Sequence, residues 1–130
     1  EYDSVEKPVV QDRLLEALGA DAVAFPKKLR CCGSGIFLTE MEHCLGLVRN
    51  ILEDAVGHGA QMVSTVCPMC AMNLELYQER INRAHGTHFD VPIVYLTQLM
   101  AVAFGMDFKR DAALHYNIIP PEGILKAAVG

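Results

Sequence analysis

No stretch of this 130-residue chain approaches the roughly 20 apolar residues that a membrane-spanning helix needs. A run such as Leu99 to Phe104 is far too short, so a membrane span is not expected. Positive charge is also scarce. Eleven Lys and Arg stand against 16 Asp and Glu, for a net charge of −5. No basic stripe is available to neutralise phosphates, which argues against nucleic acid as a partner. The nearest basic cluster is Lys27-Lys28-Leu29-Arg30. It reads either as a solvated loop or as a counter-charge to an anionic centre or substrate. The start, Glu-Tyr-Asp-Ser-Val-Glu, is acidic and has no signal-peptide pattern. Because it lacks Met, it is expected to be processed or a fragment. Tryptophan is absent. So are a P-loop, a dinucleotide fingerprint, a Ser-His-Asp order, any repeat and any low-complexity segment.

What is present is a core and a set of thiols. Hydrophobic residues make up 52% of the chain, enough for one globular domain. Helix and strand signals alternate along it. Pro8 to Leu18 reads as an amphipathic helix stopped by Gly19, and Ala22 to Phe25 as a short strand closed by Pro26. Thr39-Glu40-Met41-Glu42 reads as a capping box. In the helix it opens, Met41, Cys44, Leu45, Val48, Ile51, Leu52, Ala55 and Val56 recur at helical spacing. Glu42, His43, Arg49, Asn50, Glu53 and Asp54 take the opposite face, and Gly57 and Gly59 end the helix. A strand over Met62 to Val66, a helix over Ala71 to Ala84, a strand over Pro92 to Tyr95 and an apolar helix from Thr97 to Gly105 complete the pattern. Short strands separated by helices predict an α/β fold: a small parallel βαβ sheet with helices on both faces. The tail, 106–130, has weak periodicity and is broken by Pro120-Pro121.

Four of the five cysteines fall in two tight groups, Cys31-Cys32 and Cys67-Pro68-Met69-Cys70. Both lie after expected strands, and ligands of open α/β sheets gather at the C-terminal ends of strands. One shared site is therefore expected there. Thiolate sulfur favours zinc or iron–sulfur clusters over hard cations. An odd cysteine count and an adjacent pair do not fit a secreted disulfide framework, so a reducing cytoplasm is the expected compartment. Gly33 and Gly35 would let the backbone approach a bulky centre. Cys70 lies at a helix start, where the dipole is expected to lower its pKa. Three rival readings stay open. They are a four-thiolate structural zinc, a thioredoxin-like dithiol at Cys67 and Cys70, and inert buried thiols. Cys44 sits on the apolar stripe and reads as a core residue. The five histidines are scattered; His85 and His88 flank Gly86-Thr87 and read as a surface loop.

Cys31-Cys32-Gly33 followed by Cys67-Pro68-Met69-Cys70 and Asn73-Leu74 resembles the cysteine-rich "CCG" domain. Leu15-Glu16-Ala17-Leu18-Gly19-Ala20 and the segment Val91 to Leu99 extend the likeness, which is strongest to the B subunit of heterodisulfide reductase. Iron–sulfur subunits of glycolate oxidase and anaerobic glycerol-3-phosphate dehydrogenase are similar. The full family motif has one more cysteine upstream of the adjacent pair, and no cysteine lies between 1 and 30. The resemblance thus implies a C-terminal piece of a larger subunit, with 1–130 as one CCG-type domain. It implies that Cys31, Cys32, Cys67 and Cys70 are the metal and cofactor ligands. The cofactor would be a non-cubane [4Fe-4S] cluster, with zinc an option in this piece alone. The implied activity is that of an oxidoreductase subunit, active only within the full complex. It would reduce a small disulfide such as the coenzyme M–coenzyme B heterodisulfide. A ferredoxin-like iron–sulfur subunit and a flavoprotein subunit would be its partners. The alternative is a non-catalytic electron-relay or zinc-stapled module that docks partner subunits.

Overall fold

The computed structural model describes residues 2–130. Six helices surround a two-stranded parallel sheet: α1 (Val10–Ala17), α2 (Met41–Gly57), β1 (Val63–Thr65), α3 (Pro68–Leu76), α4 (Gln78–His85), β2 (Ile93–Tyr95), α5 (Leu96–Ala103) and α6 (Glu122–Val129). Short 3-10 turns occupy Pro26–Leu29 and Leu114–Tyr116. Val63, Ser64 and Thr65 pair with Ile93, Val94 and Tyr95. One βαβ unit is thus present, and the mixed α/β expectation holds.

The long amphipathic helix follows its pattern. Cys44, Leu45, Val48, Ile51, Leu52 and Ala55 are buried on α2, and Leu45, Val48, Ile51 and Leu52 join the main core with Leu74, Ile81, Val91 and Ile93. That spacing repeats every three or four residues, so one stripe is dry. Val56 is exposed instead, because it rotates off the stripe at the last turn. Asp54, expected on the wet face, is turned inward and accepts the Lys27 N–H at 2.7 Å. It thereby ties the 3-10 turn to α2. The expected capping box does not form: Glu40 is the N-cap, with no side-chain bond. The helix ends in a glycine-assisted stop. Gly59 has φ +90°, and Ala60 N–H returns to the Ala55 carbonyl at 3.0 Å.

Three expectations are corrected. Ala22 to Phe25 is not a strand, since β1 has only β2 as a neighbour and a ladder needs a partner. The expected helix over 71–84 is two helices that meet at Tyr77. Gln78 makes the joint. Its buried side chain donates to the Leu74 carbonyl at 2.9 Å and the Val91 carbonyl at 2.8 Å, and accepts from Val91 N–H at 2.9 Å. The amide thus turns the chain and anchors it to the lead-in of β2. Finally, α5 starts at Leu96 rather than being capped by Thr97. Tyr95 N–H donates to Gln98 Oε1 at 3.0 Å.

The segment after Gly105 folds back on the sheet. Asn117 donates to the Ile93 carbonyl at 2.7 Å, and Gln98 joins Asn117 and the Ala112 carbonyl, each at 3.0 Å. Leu114 and Leu125 build a second, smaller core with Val102 and Ala112. Pro121, read as a break, is buried as the N-cap of α6. Among the described residues no helix is long and apolar enough to cross a membrane.

Candidate metal centre

β1 runs straight into the second cysteine group. Cys67 is the extended N-cap of α3, and Pro68 takes the first helical position, where a missing N–H costs nothing. Cys70 lies one turn further in, facing the core. The first group arrives from the other side, on the loop between the 3-10 turn and α2. There Cys32 is buried and Cys31 is exposed.

Cys32 Sγ lies 3.4 Å from Cys70 Sγ, although the two are 38 positions apart. A tetrahedral thiolate metal with bonds of about 2.3 Å sets its sulfurs about 3.8 Å apart, so these two stand at ligand-like separation. Cys67 joins them through the Cys70 side chain. Cys31 does not: its Sγ turns back to accept the Gly33 N–H at 3.4 Å. No three His, Cys, Asp or Glu side chains among the described residues converge as a closed cage. The donor set, all soft sulfur, suits zinc or an iron–sulfur cluster. The two groups meet through Cys32 and Cys70, with Cys67 beside Cys70, while Cys31 would have to swing inward.

The two thiols of the second group have opposite environments. At Cys67 the backbone N–H of Cys70, then the Cys70 side chain and the Met69 N–H, favour the thiolate and hold its pKa below the ordinary 9.0. At Cys70 burial pushes the pKa up to about 12, with the Cys32 and Cys67 sulfurs adding to it. The expectation that the dipole lowers Cys70 is therefore overturned. The half-buried N-cap faces the backbone N–H groups of the first turn, and the residue one turn inside is desolvated among other sulfurs.

A cleft of about 700 Å³ reaches this pair, with Cys32 and Cys70 in its wall. Ala22, Val23 and Phe25 line it together with Val63, Ser64 and Thr65 of β1. Its lining is mainly apolar, and Ser64 Oγ is buried beside it without a partner among the described residues. Cys44, as expected, is fully buried in the core. Asn73 is the residue that sequence reasoning left without a role. It is wholly buried and bonded to the cysteine loop, and the available signal was a polar residue between Ala71 and Leu74 on a buried helix face. His85 and His88 are exposed, as a surface loop requires.

The profile of the cysteine-rich (CCG) domain family matches residues 3–75, which includes all four grouped cysteines. The chain belongs to this family. Among curated proteins, it is 31% identical over 118 residues to the 8-methylmenaquinol:fumarate reductase membrane anchor subunit of Wolinella succinogenes, covering 91% of this chain and 41% of that one. It is 31% identical over 121 residues to a protein of Archaeoglobus profundus named as like the heterodisulfide reductase B subunit, covering 92% of this chain and 40% of the other. The B subunit of the ferredoxin/F(420)H(2)-dependent CoB-CoM heterodisulfide reductase of Methanosarcina acetivorans is 31% identical over 109 residues, 77% of this chain and 34% of the relative. The chain thus spans about two-fifths of the length of the first two relatives.

Proposed function

We propose that this chain is part of an iron–sulfur oxidoreductase subunit of the heterodisulfide reductase type, working in a reducing cytoplasm. Cys31, Cys32, Cys67 and Cys70 would hold the cofactor, a non-cubane [4Fe-4S] cluster, near the C-terminal end of β1. The observation that carries this reading is the 3.4 Å meeting of Cys32 and Cys70 from opposite ends of a 38-residue separation. When bound, the cluster would supply one-electron chemistry at sulfur.

The chain's own residues would do the rest. The buried Cys32 and the half-buried Cys70 lie in the wall of the mainly apolar cleft, so a small disulfide entering it would meet the centre there. The Cys67 thiolate is favoured at the helix start and is ready to bind a cation without a strong base to remove its proton. The coenzyme M–coenzyme B heterodisulfide or an analogue is the substrate that fits the heterodisulfide reductase relatives. A ferredoxin-like iron–sulfur subunit and a flavoprotein subunit would deliver the electrons.

The outward turn of Cys31 favours a second reading, a zinc-stapled or electron-relay module that docks other subunits. A relative named as a membrane anchor subunit is in keeping with such a docking role. Metal and acid-labile sulfide per chain, measured on anaerobically purified protein beside the longest natural form, separate the two. Iron with sulfide is expected. Zinc without sulfide in both forms would remove the reductase chemistry and leave the staple.

A further inference from the structure

Asn73 lies one turn after Cys70 on α3 and is wholly buried. Its Nδ2 donates to the Cys32 carbonyl at 2.8 Å and reaches Cys44 Sγ at 3.2 Å. Its Oδ1 is buried with no partner among the described residues. An unpaired buried oxygen carries a desolvation cost that an apolar residue of the same size would not have. What the side chain contributes is therefore its N–H groups, which reach the first cysteine loop and α2. The Cys32 carbonyl is also approached by Cys44 Sγ at 3.8 Å. The next residue, Gly33, adopts φ +79°. A Cβ there would stand 3.1 Å from Leu47 Cδ1, 3.2 Å from Cys44 Cα and 3.3 Å from Cys44 Sγ. The loop is thus wedged between α2 and α3, with one amide gripping the backbone of the residue whose sulfur faces Cys70.

We propose that Asn73 is the positioning residue of the thiol centre: its amide locks the Cys32 backbone to the helix that carries Cys70, and so sets the spacing of the two sulfurs. The inference rests on the reading that these cysteines hold a metal. Asn73 and Cys44 are not ligands in it. Cys44 Sγ is occupied as a hydrogen-bond acceptor and is sealed from the cleft.

The test is an anaerobic Co(II) titration of the chain and of Asn73→Asp, which keeps the shape and loses both N–H donors. The readout is the thiolate-to-metal charge-transfer band, which a merely structural role would leave unchanged in position. Asn73→Asp is expected to bind about 10- to 100-fold more weakly, as other outer-shell changes do, and with a shifted band. Equal affinity with an unchanged band would overturn the inference alone. A wild type that shows no thiolate band would overturn the metal reading and this inference together. Should Asn73→Asp fail to fold, hydrogen exchange of the Asn73 side-chain amide in the Zn(II)-loaded wild type decides. Protection supports the lock. Exchange as fast as that of the exposed Asn50 side chain refutes it.

Discussion

At the scale of single residues, the cysteines divide by environment rather than by motif. Cys67 and Cys70 share one C-x-x-C, yet one thiol is drawn toward its anion and the other is held protonated, with a pKa of about 12. In the reduced, metal-free chain at pH 8, iodoacetamide should therefore label Cys67 well before Cys70, as peptide mass spectrometry would read. The same contrast gives a sign to the pH dependence. The Cys70 contribution is complete below pH 9.0 and is lost as pH rises from 9.0 toward 12, because the unfolded thiol ionises first. Cys67 works in the opposite direction, contributing above 9.0 and losing that as pH falls through its lowered pKa. A chain whose Cys70 labels as fast as Cys67 would contradict the desolvation of Cys70 beside Cys32. The four ligand candidates were legible from spacing alone, because thiols in pairs have few other uses. Which thiol is exposed was not. That depends on α3 facing Cys70 inward against Cys32, a contact between residues 38 positions apart.

Among the elements, periodicity was informative where one face is dry and silent where a side chain replaces backbone. The stripe on α2 was read almost residue by residue. The α3–α4 joint was missed because Gln78 looks like a surface residue in a helical run, yet it is buried and makes three hydrogen bonds. Gln78→Leu should cost about 1–3 kcal/mol per polar group left unpaired, at Val91 N–H, Val91 O and Leu74 O. Exposed Arg80→Ala, which breaks only the surface contact to Glu42 at 3.0 Å, should cost about 0–1 kcal/mol. Urea unfolding midpoints of the two variants would check the difference, and similar losses would mean that the joint does not depend on Gln78. The Ala22 to Phe25 segment was misread for a related reason. Apolar composition suits a strand, but a strand also needs a paired neighbour, and this segment lines the cleft instead.

For the molecule as a whole, the sheet has only two short strands, and the first cysteine loop is held by contacts to α2 and α3 rather than by a ladder. The tail's role in the second core was invisible in sequence, since Pro120-Pro121 reads as a terminator and serves as the start of α6. The contact between Cys32 and Cys70 takes on another meaning at this scale. It closes a loop that contains the whole of α2 and β1. A metal bridging the two sulfurs would act as a cross-link on the unfolded chain. For a closed loop of this length, chain entropy assigns such a link about 4 kcal/mol. Loading with Zn(II) should raise the melting temperature by well over ten degrees, and chelation should reverse it; an unchanged Tm in calorimetry would mean that the metal does not span the two groups. The centre would then be a clasp whose opening is coupled to unfolding of nearly a third of the chain, so that loss of the cofactor and exposure of the protein to proteolysis become one event.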